Sequence, residues 1–240
     1  MKTELVRIIG DGTVGKALGV TIGVEPIGPS DLPVCSTVVI ICVPTPTNSQ
    51  GEQDLEAVRQ AIGRVAIATL IIIRSTVLPG TTDRLQDECE IPLIFVPEFG
   101  REKTMIEDLA FPDRYVFGYT SKSIGLIRLA MAVLPHSDRN IVVKARAAEL
   151  CKYFCNTYLA TVVSLANEFY DWAGSDFDEA AKAAMADARF PKWGFDIFSW
   201  GARGYSGKCL PKDIQAAIYQ NGSTLLRAVE EVNNKLLSYG

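Results

Sequence analysis

Short runs of apolar, largely β-branched residues recur through the first 144 positions: Leu5–Ile9, Val20–Val24, Val38–Val43, Leu70–Ile73, Leu93–Val96, Tyr115–Phe117 and Ile141–Val143. Several are apolar throughout, the pattern of strands buried on both faces of a parallel sheet. Between them, Leu55–Ala68 and Lys122–Val133 carry helical spacing, and Gly, Pro and Thr clusters mark the turns. Strand alternating with helix predicts βαβ units and a doubly wound parallel sheet. From Ala145 the character changes. Ala145–Ala173 contains neither Pro nor Gly and is dense in Ala, Leu and aromatics, which predicts one helix roughly 40 Å long. A helical segment over Asp178–Ala188, a loop rich in Gly and aromatics over Phe190–Ser206, and further helices complete the chain. The reading is therefore a sheet domain over 1–144 and an all-helical domain over 145–240 built on one long central helix.

With 240 residues, 48% of them hydrophobic and 22% charged, the chain has the composition of a globular protein with a real core. A net charge of −4 argues against nucleic-acid or membrane-surface partners, which call for basic patches. The first apolar run begins at Leu5, leaving no space for a secretion signal, and the longest run, Val65–Ile73, is too short to span a bilayer. These features predict a cytoplasmic protein. The six cysteines form no C-x-x-C pair and the only histidine is His136, so no metal site is expected. Most of the cysteines read as small hydrophobes in a core.

Directly after the first run comes Gly10-Asp11-Gly12-Thr13-Val14-Gly15, a G-x-G-x-x-G opening a helix. In a dinucleotide-binding, Rossmann-like turn the first glycine permits the tight bend and the second lets the backbone approach a pyrophosphate. The third lets the helix pack on the sheet, with the helix N-terminus facing the phosphates. The same glycines also suit an ordinary turn; the position after an N-terminal strand favours the cofactor. The acidic residue expected to bond the adenosine ribose is Glu25, closing the Val20–Val24 run only ten residues after Gly15. That spacing predicts a first helix of barely two turns, interrupted by Gly19. Glu25 favours NAD over NADP by repelling a 2′-phosphate; the alternative is a solvated glutamate at a strand end.

Further segments make the reading specific. They are Val43-Pro44-Thr45-Pro46; Ser75-Thr76-Val77-Leu78-Pro79-Gly80-Thr81-Thr82; Pro97-Glu98-Phe99-Gly100-Arg101-Glu102 continuing to Pro112-Asp113-Arg114; and Ser206-Gly207-Lys208-Cys209-Leu210-Pro211-Lys212-Asp213. In type and order they resemble the V-P-T-P, S-T-V-x-P-G-T-T, P-E-F-x-R-E…P-D-R and G-G-x-C-L-P-K-D segments of the UDP-glucose/GDP-mannose dehydrogenase family. Glu149-Leu150-Cys151-Lys152-Tyr153-Phe154-Cys155-Asn156 adds a fifth match in the long helix. Lys152 and Asn156 are i and i+4 and share a helix face, either as a solvated stripe or as part of a pocket.

The resemblance implies an NAD-dependent enzyme that oxidises the primary alcohol of a nucleotide sugar to a carboxylate. Two hydride transfers proceed through a cysteine thiohemiacetal and thioester. Cys209 stands at the nucleophile's position, between Lys208 and Lys212. Lys152 and Asn156 would donate to the carbonyl oxyanion, and Asp213 would hold water or orient the lysine. Glu102, with Thr76 positioning a water, is the candidate base for thioester hydrolysis; Glu98 reads as an orienter of that base, the division between the two glutamates being left open. Val43, Pro44, Thr45, Ser75 and Thr76 join Gly10, Gly12, Thr13, Val14, Gly15 and Glu25 as the cofactor set. Phe99, Arg101, Lys152, Tyr205 and Gly207 form the substrate set. Where the resemblance has a second glycine this chain has Ser206, acceptable where the backbone φ is negative.

Members of that family are longer, continuing past an A…V-N segment into a second nucleotide-binding domain. This sequence reaches Ala228–Asn233 and stops at Gly240, so the UDP-binding half of the substrate site is expected to be absent. Three readings follow: a minimal dehydrogenase, a catalytically inactive dinucleotide-binding remnant, or a subunit completed by a partner chain. Ala147, Leu150, Phe154, Tyr158, Thr161 and Leu165 give the long helix an apolar face that predicts a homodimer, or else packing on its own sheet domain. Among UDP-glucose, GDP-mannose and UDP-N-acetylmannosamine, UDP-glucose is the substrate favoured.

Overall fold

The computed structural model describes residues 5–28, 33–190 and 193–238. Met1–Glu4, ahead of the first predicted strand, and Pro191 and Lys192, in the predicted aromatic loop, lie outside the described residues. The described strands are β1 (Val6–Ile9), β2 (Val34–Cys35), β3 (Val38–Ile41), β4 (Val65–Ile67), β5 (Leu70–Ile73), β6 (Leu93–Phe95), β7 (Tyr115–Tyr119) and β8 (Asn140–Lys144). The α-helices are α1 (Thr13–Ile22), α2 (Glu56–Gly63), α3 (Thr81–Glu88), α4 (Met105–Ala110), α5 (Ile127–Val133), α6 (Ala145–Ala173), α7 (Phe177–Ala184), α8 (Leu210–Asn221) and α9 (Thr224–Leu237). By contacts the chain divides into two compact units, 1–46 with 53–152, and 47–52 with 153–240.

The first unit is built on a six-stranded sheet in the order β1-β3-β5-β6-β7-β8. The first four strands run parallel, and Ile9, Ile41, Ile73 and Phe95 stand side by side as the last paired row. Buried Val and Ile fill both faces, which is why these strands read as unbroken apolar runs. The expected all-parallel sheet is modified at β7, which pairs antiparallel with β6, while β8 follows β7 in parallel. The segment 96–114 therefore leaves and re-enters the sheet at one edge, the carboxyl edge of the first four strands.

Two local expectations are overturned. Val20–Val24 is not a strand: Val20–Ile22 forms the last turn of α1, which ends at left-handed Gly23. α1 is accordingly ten residues long rather than a trimmed two turns. Gly19 does not interrupt it, because a Cβ there would stand 2.5 Å from the Val24 carbonyl oxygen, so glycine is what lets the next segment cross the helix. The burial of Leu18 and Ile22 with Val20 exposed is helical periodicity, and it overrides the β-branched composition. What remains of a second strand is one bridge, Ile9 to Ile27, with Gly10 N–H donating to the Ile27 carbonyl at 2.9 Å. The helix predicted over Leu55–Ala68 stops at Gly63, and Val65–Ile67 instead pairs as β4 with β2 in a two-stranded sheet. Both of these short strands escaped the sequence reading.

α6 begins in the first unit and continues into the second, running 29 residues, about 43 Å, with the limits read from the sequence. Phe177 and Ala181 of α7 and Ile197 pack with Ala166 of α6 in a small core. Among the described residues no helix is long and apolar enough to cross a membrane.

Candidate active site

The sheet's register assembles the motifs. Because Ile9, Ile41, Ile73 and Phe95 are level, the Gly10 turn, Val43-Pro44-Thr45, Ser75-Thr76 and Pro97-Glu98-Phe99 all emerge at the same carboxyl edge. In a parallel α/β sheet that edge is where ligands bind.

At β1 the glycines divide into two kinds. Gly10 has φ +113°, and a Cβ on it would lie 2.4 Å from the Cys42 carbonyl oxygen; one on Gly15 would lie 1.8 Å from the Gly10 oxygen. These two are demanded by the chain itself. Gly12 is exposed, with nothing within 4 Å of where a Cβ would be, and it is the N-cap of α1 without any side-chain cap. The turn thus presents a bare helix N-terminus with Thr13 exposed and Val14 half-buried, which fits a pyrophosphate. Glu25 is exposed and lines, with Lys16, Gly19 and Val24, a cleft of about 440 Å³. Cys42 behind the turn is buried, and burial pushes its thiol up to about 12, so it stays a neutral core group.

The next two loops brace each other. Ser75 Oγ donates to the Val43 carbonyl at 2.7 Å and accepts from Val43 N–H at 2.9 Å, and Thr45 Oγ1 donates to the Thr76 carbonyl at 2.7 Å. The hydroxyls of Ser75 and Thr45 are therefore engaged within the protein, leaving exposed Pro44 and half-buried Thr76 at the rim. Gln53, which no sequence signal marked, is buried and donates to the Thr76 carbonyl at 2.9 Å while accepting from Leu78 N–H at 3.0 Å. Glu149 of α6 completes the turn, accepting from Gly80 N–H at 2.5 Å and Thr82 N–H at 2.7 Å at the start of α3. Its burial raises the Glu149 carboxyl above its ordinary range against the pull of these bonds.

At β6, Lys152 is buried and donates from Nζ to the Glu98 main-chain carbonyl at 2.5 Å, 5.4 Å from the Phe99 ring centre. The Glu98 carboxylate is also buried, and its Oε1 lacks a protein partner. Glu102 is exposed at the start of a short 3₁₀ turn. Arg101 is engaged with Asp108 at 2.7 Å, and the guanidinium holds that carboxyl well below the usual range. Phe99 lies under the Arg114 guanidinium at 4.2 Å.

In the second unit, buried Asn156 of α6 donates from Nδ2 to Asp213 Oδ2 at 2.6 Å, and Lys212 Nζ donates to Asp213 Oδ1 at 2.5 Å. Lys152 and Asn156 are both buried, which settles the solvated-stripe alternative against it. Asp213 lies in the first turn of α8, and Cys209 is that helix's N-cap, exposed, with its carbonyl accepting from Asp213 N–H at 3.0 Å. The loop before it is held by Asn233 of α9, whose side chain accepts from Tyr205 N–H at 2.7 Å and donates to the Tyr205 carbonyl at 3.0 Å. Gly204 and Gly207 have φ of +81° and +83°, whereas Ser206 stays out of the positive-φ region, so serine is accommodated there. Tyr205 is buried, and burial raises its hydroxyl, with Glu230 adding to the shift.

Residues 30–133 match the model of the UDP-glucose/GDP-mannose dehydrogenase family, NAD binding domain, and residues 146–235 match that of the same family's central domain. The chain is 31% identical over 221 residues to UDP-glucose 6-dehydrogenase of Pseudomonas aeruginosa, covering 82% of this chain and 48% of that one. It is 33% identical over 233 residues to GDP-mannose 6-dehydrogenase of Pseudomonas syringae pv. syringae, covering 88% and 51%. The solved structure of a UDP-glucose dehydrogenase from Pyrobaculum islandicum superposes with a TM-score of 0.81 at 26% identity, over 99% of this chain and 69% of that one. The chain spans about half the length of the curated relatives it matches. The cofactor of the matched N-terminal domain is NAD, and the open Gly12 turn fits it. A carboxyl-edge cofactor turn, a braced S-T-V loop and a cysteine heading the L-P-K-D helix, matched over both domains, mean that the chain belongs to the UDP-glucose/GDP-mannose dehydrogenase family.

Proposed function

We propose that this chain carries the NAD-binding and catalytic parts of a nucleotide-sugar 6-dehydrogenase acting on a UDP-glucose-like substrate. The observation that carries the reading is the bonding of buried Asp213, in the turn of α8 that Cys209 caps, to buried Asn156 of α6 and half-buried Lys212. Bound NAD⁺ supplies a hydride acceptor for each of two oxidations. Gly12, Thr13 and Val14 hold its pyrophosphate and the Val43–Thr45 and Ser75–Thr76 loops the reacting end; Glu25, expected at the adenosine ribose, instead follows the Gly23 cap at the far end of α1, because Val20–Ile22 is helix rather than strand.

The chemistry assigned to the chain's own residues follows from their settings. The exposed Cys209 thiol sits at the positive end of α8, where a thiolate is stabilised. Its Sγ adds to the aldehyde carbon formed in the first oxidation. Lys152 and the Asn156 amide donate to the resulting oxyanion, whose collapse in the second oxidation leaves a thioester. Water, deprotonated by Glu102 or Glu98 and positioned by Thr76, releases the carboxylate and regenerates the thiol. Phe99 and Arg101 in the first unit and Gly207, beside buried Tyr205, in the second are the residues assigned to the sugar and phosphates. Dimerisation through α6 is supported by Leu150, Phe154, Tyr158 and Leu165, each 45% or more exposed on one helix.

NADH absorbance with NAD⁺ and a panel of nucleotide sugars tests this. Two NADH per sugar from the wild type, lost in Cys209→Ser, is the expected result; folded protein giving none with any sugar refutes a self-sufficient enzyme. A second reading has the substrate's nucleotide held by a further chain. Activity that returns only on adding such a chain would distinguish it from an inactive remnant.

A further inference from the structure

We infer that Gln53 is a positioning residue for the Thr76 loop, and so for NAD at the carboxyl edge. This inference rests on the cofactor site described above. Gln53 is 8% exposed, and both ends of its amide are used on either side of Val77: Nε2 donates to the Thr76 carbonyl and Oε1 accepts from Leu78 N–H. A planar group bonded to a carbonyl and an N–H two residues apart sets the orientation of the peptide between them.

Gln53 is also tied to the neighbouring cofactor loop. Thr45 Oγ1 donates to the same Thr76 carbonyl, so one oxygen receives a bond from each side. Asp54 N–H, one residue on, donates to the Pro46 carbonyl at 2.8 Å. Ser75 is already spent on Val43, and Glu149 holds only the far end of the turn at Gly80 and Thr82. Of these side chains, Gln53 is the one that grips the chain on both sides of Val77. Which way Thr76 faces therefore depends on an amide that approaches it from outside the motif.

The chemistry of the amide supplies a test that a merely space-filling role would not pass. Gln53→Glu keeps the shape and the acceptor for Leu78 N–H. When ionised it faces the Thr76 carbonyl with an oxygen and no proton; when protonated it donates as the amide did. Burial and the facing Thr76 carbonyl both favour the protonated acid, raising its titration, so NAD⁺ affinity measured by calorimetry at about pH 5 and about pH 8 separates the two states. We expect Gln53→Glu to bind like wild type at the lower pH and about tenfold more weakly at the higher, with Gln53→Met weak at both. Recovery at low pH within the same polypeptide also shows that the variant is folded. Exchange of the Leu78 amide, read in the same samples, should stay slow in Gln53→Glu and quicken in Gln53→Met. Binding by Gln53→Glu that follows wild type at both pH values would overturn the inference alone. A wild type that binds no NAD⁺ would overturn the cofactor reading and this inference with it.

Discussion

Gly10 shows how strictly single positions are set. Its φ of +113° and the 2.4 Å approach of the Cys42 carbonyl exclude any side chain, so Gly10→Ala must either break the turn or push β3 outward. We expect a loss of about 2–4 kcal/mol in denaturant unfolding, from backbone strain and overpacking together. Gly12 is the contrast, since it has space around it. Gly12→Ala should leave stability within about 0.5 kcal/mol while weakening NAD⁺ binding, which calorimetry and unfolding would separate. Asp213 is a third case, with both carboxylate oxygens occupied by Asn156 and Lys212. Asp213→Asn preserves the shape but sets an amide against one of two donors. A fall in kcat of about 10²-fold with KM little changed is expected from losing oriented donors, checked by steady-state kinetics of NADH formation.

Elements are held by side chains reaching in from elsewhere in the chain. α3 begins at left-handed Gly80 with no cap of its own, and Glu149 of α6 accepts its first amides. Burial raises the folded-state affinity of that carboxyl for its proton above the ordinary value of 4.5. Its contribution to stability is then greatest below pH 4.5 and declines as pH rises through the raised value, because the folded state holds the proton longer. Glu149→Gln removes this titration. The stability difference between wild type and variant should shift against wild type as pH is raised from 4.5, read from urea midpoints across the range. Asn233 plays the same part for the loop before α8, and the Cβ of any residue replacing Gly204 would meet its Oδ1 at 2.6 Å.

At the scale of the molecule, α6 is the element that both units share. Its exposed apolar residues recur from Leu150 to Trp172, with Phe154 at 75% and Trp172 at 81% the most exposed. Dimerisation through α6, as proposed, would cover these residues. Phe154→Glu should convert a dimer to a monomer in light scattering while leaving the monomer's circular dichroism intact. A wild type that is already monomeric would refute dimerisation through α6.

The strands of the sheet, the full extent of α6 and the order of the motifs were legible in the sequence, because each depends on local composition. Unbroken Val/Ile runs have one economical home, between two covered faces, and 29 residues without Gly or Pro have little to stop a helix. Three-dimensional packing decided the rest. Val20–Ile22 became helix because Gly19 lets Val24 and Pro26 cross it, and β7 reversed because segment 96–114 returns at the edge it left. Lys152 and Asn156 took buried partners that their spacing on the helix did not reveal. Gln53 was invisible for the same reason: its function lies in a carbonyl and an amide more than twenty positions away, and only the register of the parallel strands brings those loops together.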